Sequence, residues 1–163
     1  MKHAIVDIDG CLCESIFKNL GHNDNDKLRN DEFERKLASV SPYEWAIAHD
    51  WFQYNKIIVI TGRLTDHNHI TRGWLSWLFS RSDFELYNTE WDDSLPTRED
   101  SYEDYVLKKA DKILSEMVRL EEETGILHFD MFEDDEWIKS IVDVEHDVAL
   151  SVYSCLIKEG EIQ

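Results

Sequence analysis

The sequence predicts an α/β fold in which a parallel central sheet is covered by helices on both faces. Three short apolar runs have the composition of buried strands, at residues 3–7, 56–60 and 126–132. Segments with helical periodicity lie between and after these runs. Strands that alternate with helices form parallel sheets, because each helix carries the chain back across one face of the sheet.

The predicted strands are rich in β-branched and aromatic residues and are bounded by residues that favour turns. "KIIVI" at residues 56–60 is followed by Thr61 and Gly62, and "ILHFDMF" occupies residues 126–132. A further run, "VALSVYSCLI" at residues 148–157, predicts a last strand.

Four segments have the spacing of amphipathic helices. A helix over residues 66–79 can begin at Asp66, whose carboxylate can accept hydrogen bonds from the first turn. Residues 43–53 and 135–142 are predicted to form two more helices. The remaining helix, residues 102–121, places five apolar side chains on one face: Val106, Ala110, Ile113, Met117 and Leu120.

Length and composition predict one domain over residues 1–163, because 42% hydrophobic content can fill a sizeable core. The sequence has neither the run of about 20 apolar residues that a membrane span needs nor a secretory signal, which favours a cytoplasmic protein. The cysteines Cys11, Cys13 and Cys155 are odd in number and lack the spacing of a zinc site, so we expect reduced thiols.

The charge is strongly acidic, with 35 Asp and Glu residues against 17 Lys and Arg residues and a net charge of -18. Such a surface repels the phosphate backbone of nucleic acids and anionic membranes. We therefore expect no extended nucleic-acid groove and no membrane binding, and an anionic ligand must be held at a local site. The sequence leaves the oligomeric state open.

Polar residues follow the predicted strands where each of them ends. Asp7 and Asp9 follow the first strand, and Gly10 allows the chain to turn there. One such residue alone is usually a turn or a helix cap. Four clusters at one sheet edge instead predict a shared site, since ligands of open α/β sheets bind beyond the carboxyl ends of the strands. The other three clusters are Thr61, the pair Lys108 and Lys109, and the pair Asp134 and Asp135.

The order of these motifs resembles the haloacid dehalogenase superfamily of phosphotransferases. The matching features are Asp-Ile-Asp-Gly at residues 7–10, Thr-Gly-Arg at residues 61–63, a helical lysine and an acidic pair after a later strand. The likeness spans residues 3 to about 142. It implies a three-layer sandwich around a Rossmann-like parallel sheet, with a small flap or cap inserted at about residues 14–41.

The resemblance implies an Mg²⁺-dependent phosphatase that forms an aspartyl phosphate. Asp7 would be the nucleophile, and Asp9 would protonate the leaving oxygen and later activate water. Mg²⁺ prefers oxygen ligands. Its ligands would be the Asp7 side chain, the Asp9 main-chain carbonyl and Asp134, with Asp135 close by. "FEDDEW" leaves open whether Glu133 and Asp134 or Asp134 and Asp135 form the acidic pair.

The same resemblance implies which residues hold the phosphate. The Thr61 hydroxyl, main-chain N–H groups at Gly62 and a lysine would bind the phosphoryl oxygens. Lys108 is preferred to Lys109 as that lysine, because two apolar residues precede it as they often do in the family.

Within the superfamily, "TGRLTDHNHITRGWL" resembles the 3'-phosphatase part of phage-type polynucleotide kinases. This likeness implies that Arg63 and Arg72 lie near the substrate, which would be a nucleotide or a polynucleotide 3'-phosphate end. A 5'-nucleotidase or small-metabolite phosphatase is the alternative. A silent phosphate-binding or metal-binding protein fits less well, because it would need no acid/base such as Asp9.

Overall fold

The computed structural model describes residues 1–17 and 30–163. In this part of the chain, six strands form one sheet in the order β3-β2-β1-β4-β5-β6, and only β6 runs antiparallel to its neighbour. The strands are β1 (Lys2–Val6), β2 (Tyr54–Thr61), β3 (Glu85–Asn88), β4 (His128–Glu133), β5 (Ser151–Lys158) and β6 (Glu161–Ile162). The predicted α/β class with a mostly parallel central sheet is confirmed.

The helices are α1 (Asp31–Ser39), α2 (Glu44–Ala48), α3 (Asn68–Phe79), α4 (Arg98–Thr124) and α5 (Glu136–Glu145), and 3₁₀ turns form at Trp51–Gln53 and Thr65–His67. None of the helices in the described residues is long and apolar enough to cross a membrane. Helix α1 lies inside the insertion predicted at about residues 14–41; residues 18–29 of that insertion lie outside the described residues.

Several boundaries differ from the prediction. The helix predicted over residues 43–53 is broken at His49, which is extended, and the Asp50 carboxylate begins a separate 3₁₀ turn by accepting a hydrogen bond from the Phe52 N–H. Asp66 does not cap α3 but lies inside the preceding 3₁₀ turn. Strand β3 was not predicted, because its four residues at the sheet edge include only one buried side chain, Leu86.

Helices cover both faces of the sheet. On one face, α4 packs through the five apolar residues that the periodicity singled out, all of which are buried together with Ile138 and Val142 of α5. On the other face, α3 contributes Leu75 and Phe79 to a second core that also contains Trp51. The three cysteines are free and buried, as expected.

One carboxylate lies inside the sheet, away from the edge where the strands end. Asp130 of β4 accepts a hydrogen bond from the Tyr54 hydroxyl at 2.7 Å and forms an ion pair with Lys2 at 2.7 Å. The Tyr54 hydroxyl also lies 2.8 Å from Nε2 of His49. Burial and the Asp130 contact raise the pKa of Tyr54, so this phenol stays protonated and acts as a donor.

We expect Tyr54→Phe to lower the free energy of unfolding by about 1–2 kcal/mol, because the change removes a donor from a buried carboxylate. Tyr153→Phe is the matched control: Tyr153 pairs with Asp130 in the β4–β5 register but is 68% exposed. Urea denaturation of both variants measures the difference. Equal stability of Tyr54→Phe and the natural protein would contradict the role given to this hydrogen bond.

Candidate functional site

Three neighbouring strands bring their polar residues to one edge of the sheet. β1 lies between β2 and β4, and the Asp7 N–H extends the β1–β4 ladder by donating to the Phe132 carbonyl at 3.0 Å. Thr61 ends β2 and Glu133 ends β4. Because the strands are parallel, their carboxyl ends lie side by side, and the predicted meeting of residues after different strands at this edge is observed.

The alternation of side chains along each strand decides which way the carboxylates point. Ile5 and Met131 belong to the core beneath α4. Asp7 and Glu133 each come two residues later, so they continue toward the same face. This direction carries both carboxylates to the helix that supplies a lysine.

Lys109 of α4 is the cation at the centre of the site. Its Nζ lies 2.7 Å from Oδ1 of Asp7 and 3.1 Å from Oε2 of Glu133, and the side chain is 1% exposed. Asp7, Glu133 and Asp134 each offer a carboxylate oxygen within 4.8 Å of the others. Three carboxyl groups and one ammonium group therefore lie close together, with Asp134 partly buried and the other three groups buried.

The site has more carboxyl groups than cations, and two of the carboxyl groups have a raised pKa. Burial raises the pKa of Glu133 and of Asp134, and the nearby Asp7 charge raises both further. Burial alone would lower the pKa of Lys109, but the charges of Asp7 and Glu133 outweigh it and raise that pKa well above its usual value. The lysine is therefore charged. The carboxyl groups of the cluster also have oxygen atoms that could serve as ligands of a divalent cation.

Gly10 is required for Asp134 to approach the turn after β1. Its φ is +82°, and a Cβ atom added there would lie 2.1 Å from Oδ2 of Asp134. Any other residue would be strained by its backbone and would collide with this carboxylate. The glycine in "DIDG" thus serves the site as well as the turn.

The preference for Lys108 over Lys109 is corrected by the structure. Lys108 is 55% exposed at its side chain and pairs with Asp104 at 2.8 Å on the surface of α4. Adjacent residues on a helix point about 100° apart, so only one of the two lysines can face the sheet. That residue is Lys109.

The expectation that Asp135 is a metal ligand is also corrected. Its Oδ1 accepts hydrogen bonds from the N–H groups of Trp137 and Ile138 at 2.9 and 3.0 Å, which makes it the N-cap of α5. Its Oδ2 accepts a hydrogen bond from the Tyr102 hydroxyl at 2.5 Å. The acidic pair in the cluster with Asp7 is therefore Glu133 and Asp134.

Arg63 holds Asp9 in place and does not lie open to a ligand. Its Nε and Nη2 donate to the two Asp9 carboxylate oxygens, each at 2.8 Å, and its Nη1 donates to the Thr71 hydroxyl at 3.3 Å. The Arg63 residue is 1% exposed. Arg63 therefore lies at the candidate site, where it contacts the predicted acid/base, and its place beside the substrate stays a prediction.

Two of the other predicted phosphate ligands, Thr61 and Gly62, lie next to this ion pair. The Thr61 hydroxyl accepts a hydrogen bond from the Arg63 N–H at 3.1 Å and is buried. Gly62 lies beneath Tyr105, whose ring would be 3.0 Å from a Cβ at that position. Arg72 is exposed on α3, and no contact joins it to the Asp7 cluster within the described residues.

Tyr105 is a site residue that the sequence analysis did not single out. Its hydroxyl accepts a hydrogen bond from Nζ of Lys109 at 3.3 Å. Burial raises the pKa of Tyr105 well above its usual value, although the Lys109 charge opposes this. The helical spacing of four residues between Tyr105 and Lys109 was a signal that could have placed both on one face.

Comparison with known proteins identifies no family. No family model and no curated protein matches this chain. Two solved structures show a distant likeness. One, described as the structure of the Pnkp1/Rnl/Hen1 RNA repair complex, has a TM-score of 0.47 at 15% identity over 97% of this chain and 43% of that chain.

The other, described as the structure of the Pnkp1/Rnl/Hen1 complex, has a TM-score of 0.44 at 15% identity over 97% of this chain and 47% of that chain. This chain thus spans less than half the length of either matched chain. At this distance the likeness carries no function from those chains to this one.

We expect Lys109→Met to lower the free energy of unfolding at neutral pH by about 3 kcal/mol, because it leaves buried carboxylates without their cation. Lys108→Met should change it by less than about 0.5 kcal/mol, since Lys108 pairs only at the surface. Urea denaturation of the two variants side by side measures both values. A Lys108→Met effect equal to that of Lys109→Met would contradict the placement of the buried lysine.

Proposed function

We propose that the protein is a phosphomonoesterase that works through an aspartyl phosphate on Asp7. The observation that carries this proposal is the Asp7 carboxylate at the end of β1, held 2.7 Å from the ammonium of Lys109 and beside the acidic pair of β4. A carboxylate can attack an anionic phosphate only where positive charge and hydrogen-bond donors neutralise the phosphoryl oxygens. Lys109 supplies such a charge.

In the first step, an Asp7 oxygen attacks phosphorus and the bond from phosphorus to the leaving oxygen breaks. Asp9 donates a proton to that oxygen, which departs as an alcohol. In the second step, water attacks the phosphorus of the aspartyl phosphate and gives its proton to Asp9. The bond between phosphorus and Asp7 then breaks, which releases inorganic phosphate and restores both carboxyl groups.

Asp9 suits the acid/base role because of its position and its support. It lies two residues after Asp7 on the same turn, and two hydrogen bonds from Arg63 fix the plane of its carboxyl group. Its side chain keeps 14% exposure, whereas the Arg63 side chain that holds it is fully buried. Arg63 thus acts by orienting Asp9.

The donor set fits Mg²⁺. Asp7, Glu133 and Asp134 offer only oxygen ligands, and these three carboxyl groups outnumber the one ammonium group of Lys109. When bound, the ion would neutralise charge on the phosphoryl group. Lys109 would hold the Asp7 side chain in place through their ion pair, and Gly10 would leave space for the Asp134 carboxylate.

We propose a nucleotide or a polynucleotide 3'-phosphate end as the substrate, on the resemblance of the Thr-Gly-Arg and Thr-Arg-x-Trp segments. The net charge of -18 favours a small substrate over a long polyanion, which keeps a 5'-nucleotidase or small-metabolite phosphatase as the second candidate. Phosphate release from nucleoside 3'- and 5'-phosphates, phosphorylated oligonucleotides and sugar phosphates would separate the two.

Asp7→Asn should abolish phosphate release, because an amide is a poor nucleophile and a weak metal ligand. Asp9→Asn should slow turnover about a hundredfold or more through loss of proton transfer. Asp111→Asn, an exposed aspartate on α4, is the control and should retain full activity. Appreciable turnover by a folded Asp7→Asn variant would rule out the aspartyl-phosphate mechanism.

Millimolar Mg²⁺ should raise the melting temperature of the protein, because an ion bound only by the folded state stabilises it by mass action. The increase should shrink in Asp134→Asn and persist in Asp135→Asn, whose side chain caps α5. Differential scanning calorimetry with Mg²⁺ and with EDTA measures the shift. A melting temperature that Mg²⁺ does not change, with activity that survives EDTA, would contradict the metal role.

A further inference from the structure

Helix α4 is longer than the sheet that it covers. Its 27 residues span about 40 Å, whereas the six residues of β4 span about 20 Å. Lys109 meets Asp7 at the carboxyl edge of the sheet, so the helix between Arg98 and Lys109 extends beyond that edge. Its contacts agree with this placement, since the Ser101 hydroxyl donates to the Asp92 carbonyl in the segment after β3.

The extension presents aromatic rings above the site. Tyr102, Tyr105 and Lys109 share one helix face by their spacing of three and four residues. Trp91 stacks on Tyr105 with ring centres 5.0 Å apart and planes 15° from parallel, and it contacts Tyr102 at 5.9 Å. Trp137 of α5 contacts Tyr102 at 5.8 Å. We call these four rings, Trp91, Tyr102, Tyr105 and Trp137, the aromatic wall.

The aromatic wall begins at the candidate nucleophile and ends in solvent. Nζ of Lys109 lies 5.6 Å from the centre of the Tyr105 ring, and the same atom contacts Asp7. At the other end, Trp137 is 41% exposed although it is a large apolar side chain. A phosphate at Asp7 would therefore lie near Tyr105, at the inner end of the aromatic wall.

The charges on this extension disfavour a second phosphate. Four acidic residues lie on it. Three of them are exposed, Glu99, Asp100 and Glu103, and the fourth, Asp104, is partly buried. Lys108 already pairs with Asp104, and the Arg98 guanidinium lies over the Trp91 ring at 5.6 Å. The surface beyond the reacting phosphate thus suits a flat uncharged ring and repels a phosphodiester chain.

We propose that the aromatic wall binds the nucleobase of the substrate by stacking, so that the enzyme selects a single nucleoside attached to the phosphate it removes. This inference rests on the proposed phosphatase function and names the part of the substrate that the site recognises. Aromatic side chains stack on any base, so the wall gives a preference for a base without a strong choice among bases.

The test compares phosphate release from adenosine 3'-monophosphate and from ribose 3-phosphate, which lacks the base. The natural protein should favour the base-bearing substrate by about tenfold or more in kcat/KM, as expected for one stacked base. Trp137→Ala should lower this ratio toward one, and Trp91→Leu should lower it in part by removing the ring that stacks on Tyr105. Trp77→Ala removes a 64% exposed tryptophan near the far end of α3 and should keep the ratio.

A ratio near one in the natural protein, or a ratio that the wall variants leave unchanged, would overturn the inference and leave the phosphatase proposal standing. A phosphorylated twelve-mer gives a second criterion. Its kcat/KM should lie within about tenfold of that of the mononucleotide and depend weakly on salt. A large preference for the twelve-mer that disappears with salt would instead show backbone binding and contradict the limit to one nucleoside.

A binding measurement separates this inference from the proposed function. Calorimetry on Asp7→Asn should show tighter binding of adenosine 3'-monophosphate than of inorganic phosphate, with the difference reduced by Trp137→Ala. If the natural protein releases no phosphate but this difference is present, the phosphatase proposal fails and the base site stands. Equal affinities would overturn the base site whatever the activity.

Discussion

The ion pair of a buried lysine with two buried carboxylates is the interaction on which the site depends. Lys109, Asp7 and Glu133 are each less than a tenth exposed, and removing such charges from water is costly unless they are paired. Their pairing joins α4 to the ends of β1 and β4, so it contributes to the fold and to the site at once.

A second buried ion pair organises the other half of the same edge. Arg63 binds both oxygens of Asp9 and reaches the Thr71 hydroxyl on α3, on the opposite side of the sheet from α4. The two aspartates after β1 are thus held by cations from different layers. Because neighbouring carboxylates repel each other, this arrangement keeps Asp7 and Asp9 apart in direction although only one residue separates them in the chain.

The distribution of charge is compatible with the anionic substrate that the proposed function requires. Two cations, Lys109 and Arg63, are buried beside Asp7 and Asp9, where low solvent exposure makes each charge act strongly on its neighbours. Acidic residues occupy the exposed surface of the α4 extension. Under the proposed function, such a molecule accepts one phosphate at a defined point and disfavours a longer polyanion.

The sequence by itself determined the architecture and the location of the site. Apolar periodicity placed β1, β2, β4 and the buried face of α4, because burial repeats every second residue in a strand and every three to four in a helix. It also placed Asp7, Asp9 and Thr61 at one edge, since parallel strands end together. The sequence did not predict the short edge strand β3, which has one buried side chain, or the break at His49, where Asp50 begins a separate 3₁₀ turn.

Only the tertiary structure decided which member of each adjacent pair belongs to the site. Lys108 and Lys109 have the same chemistry, and the rotation of α4 against the sheet directs Lys109 inward. Asp135 is drawn away to cap α5, so Glu133, which follows the inward side of β4, joins Asp7 in its place. The two residues of each pair are close in the chain and chemically alike, so the sequence does not distinguish them. The packing of one element on another decides which of the two faces the site.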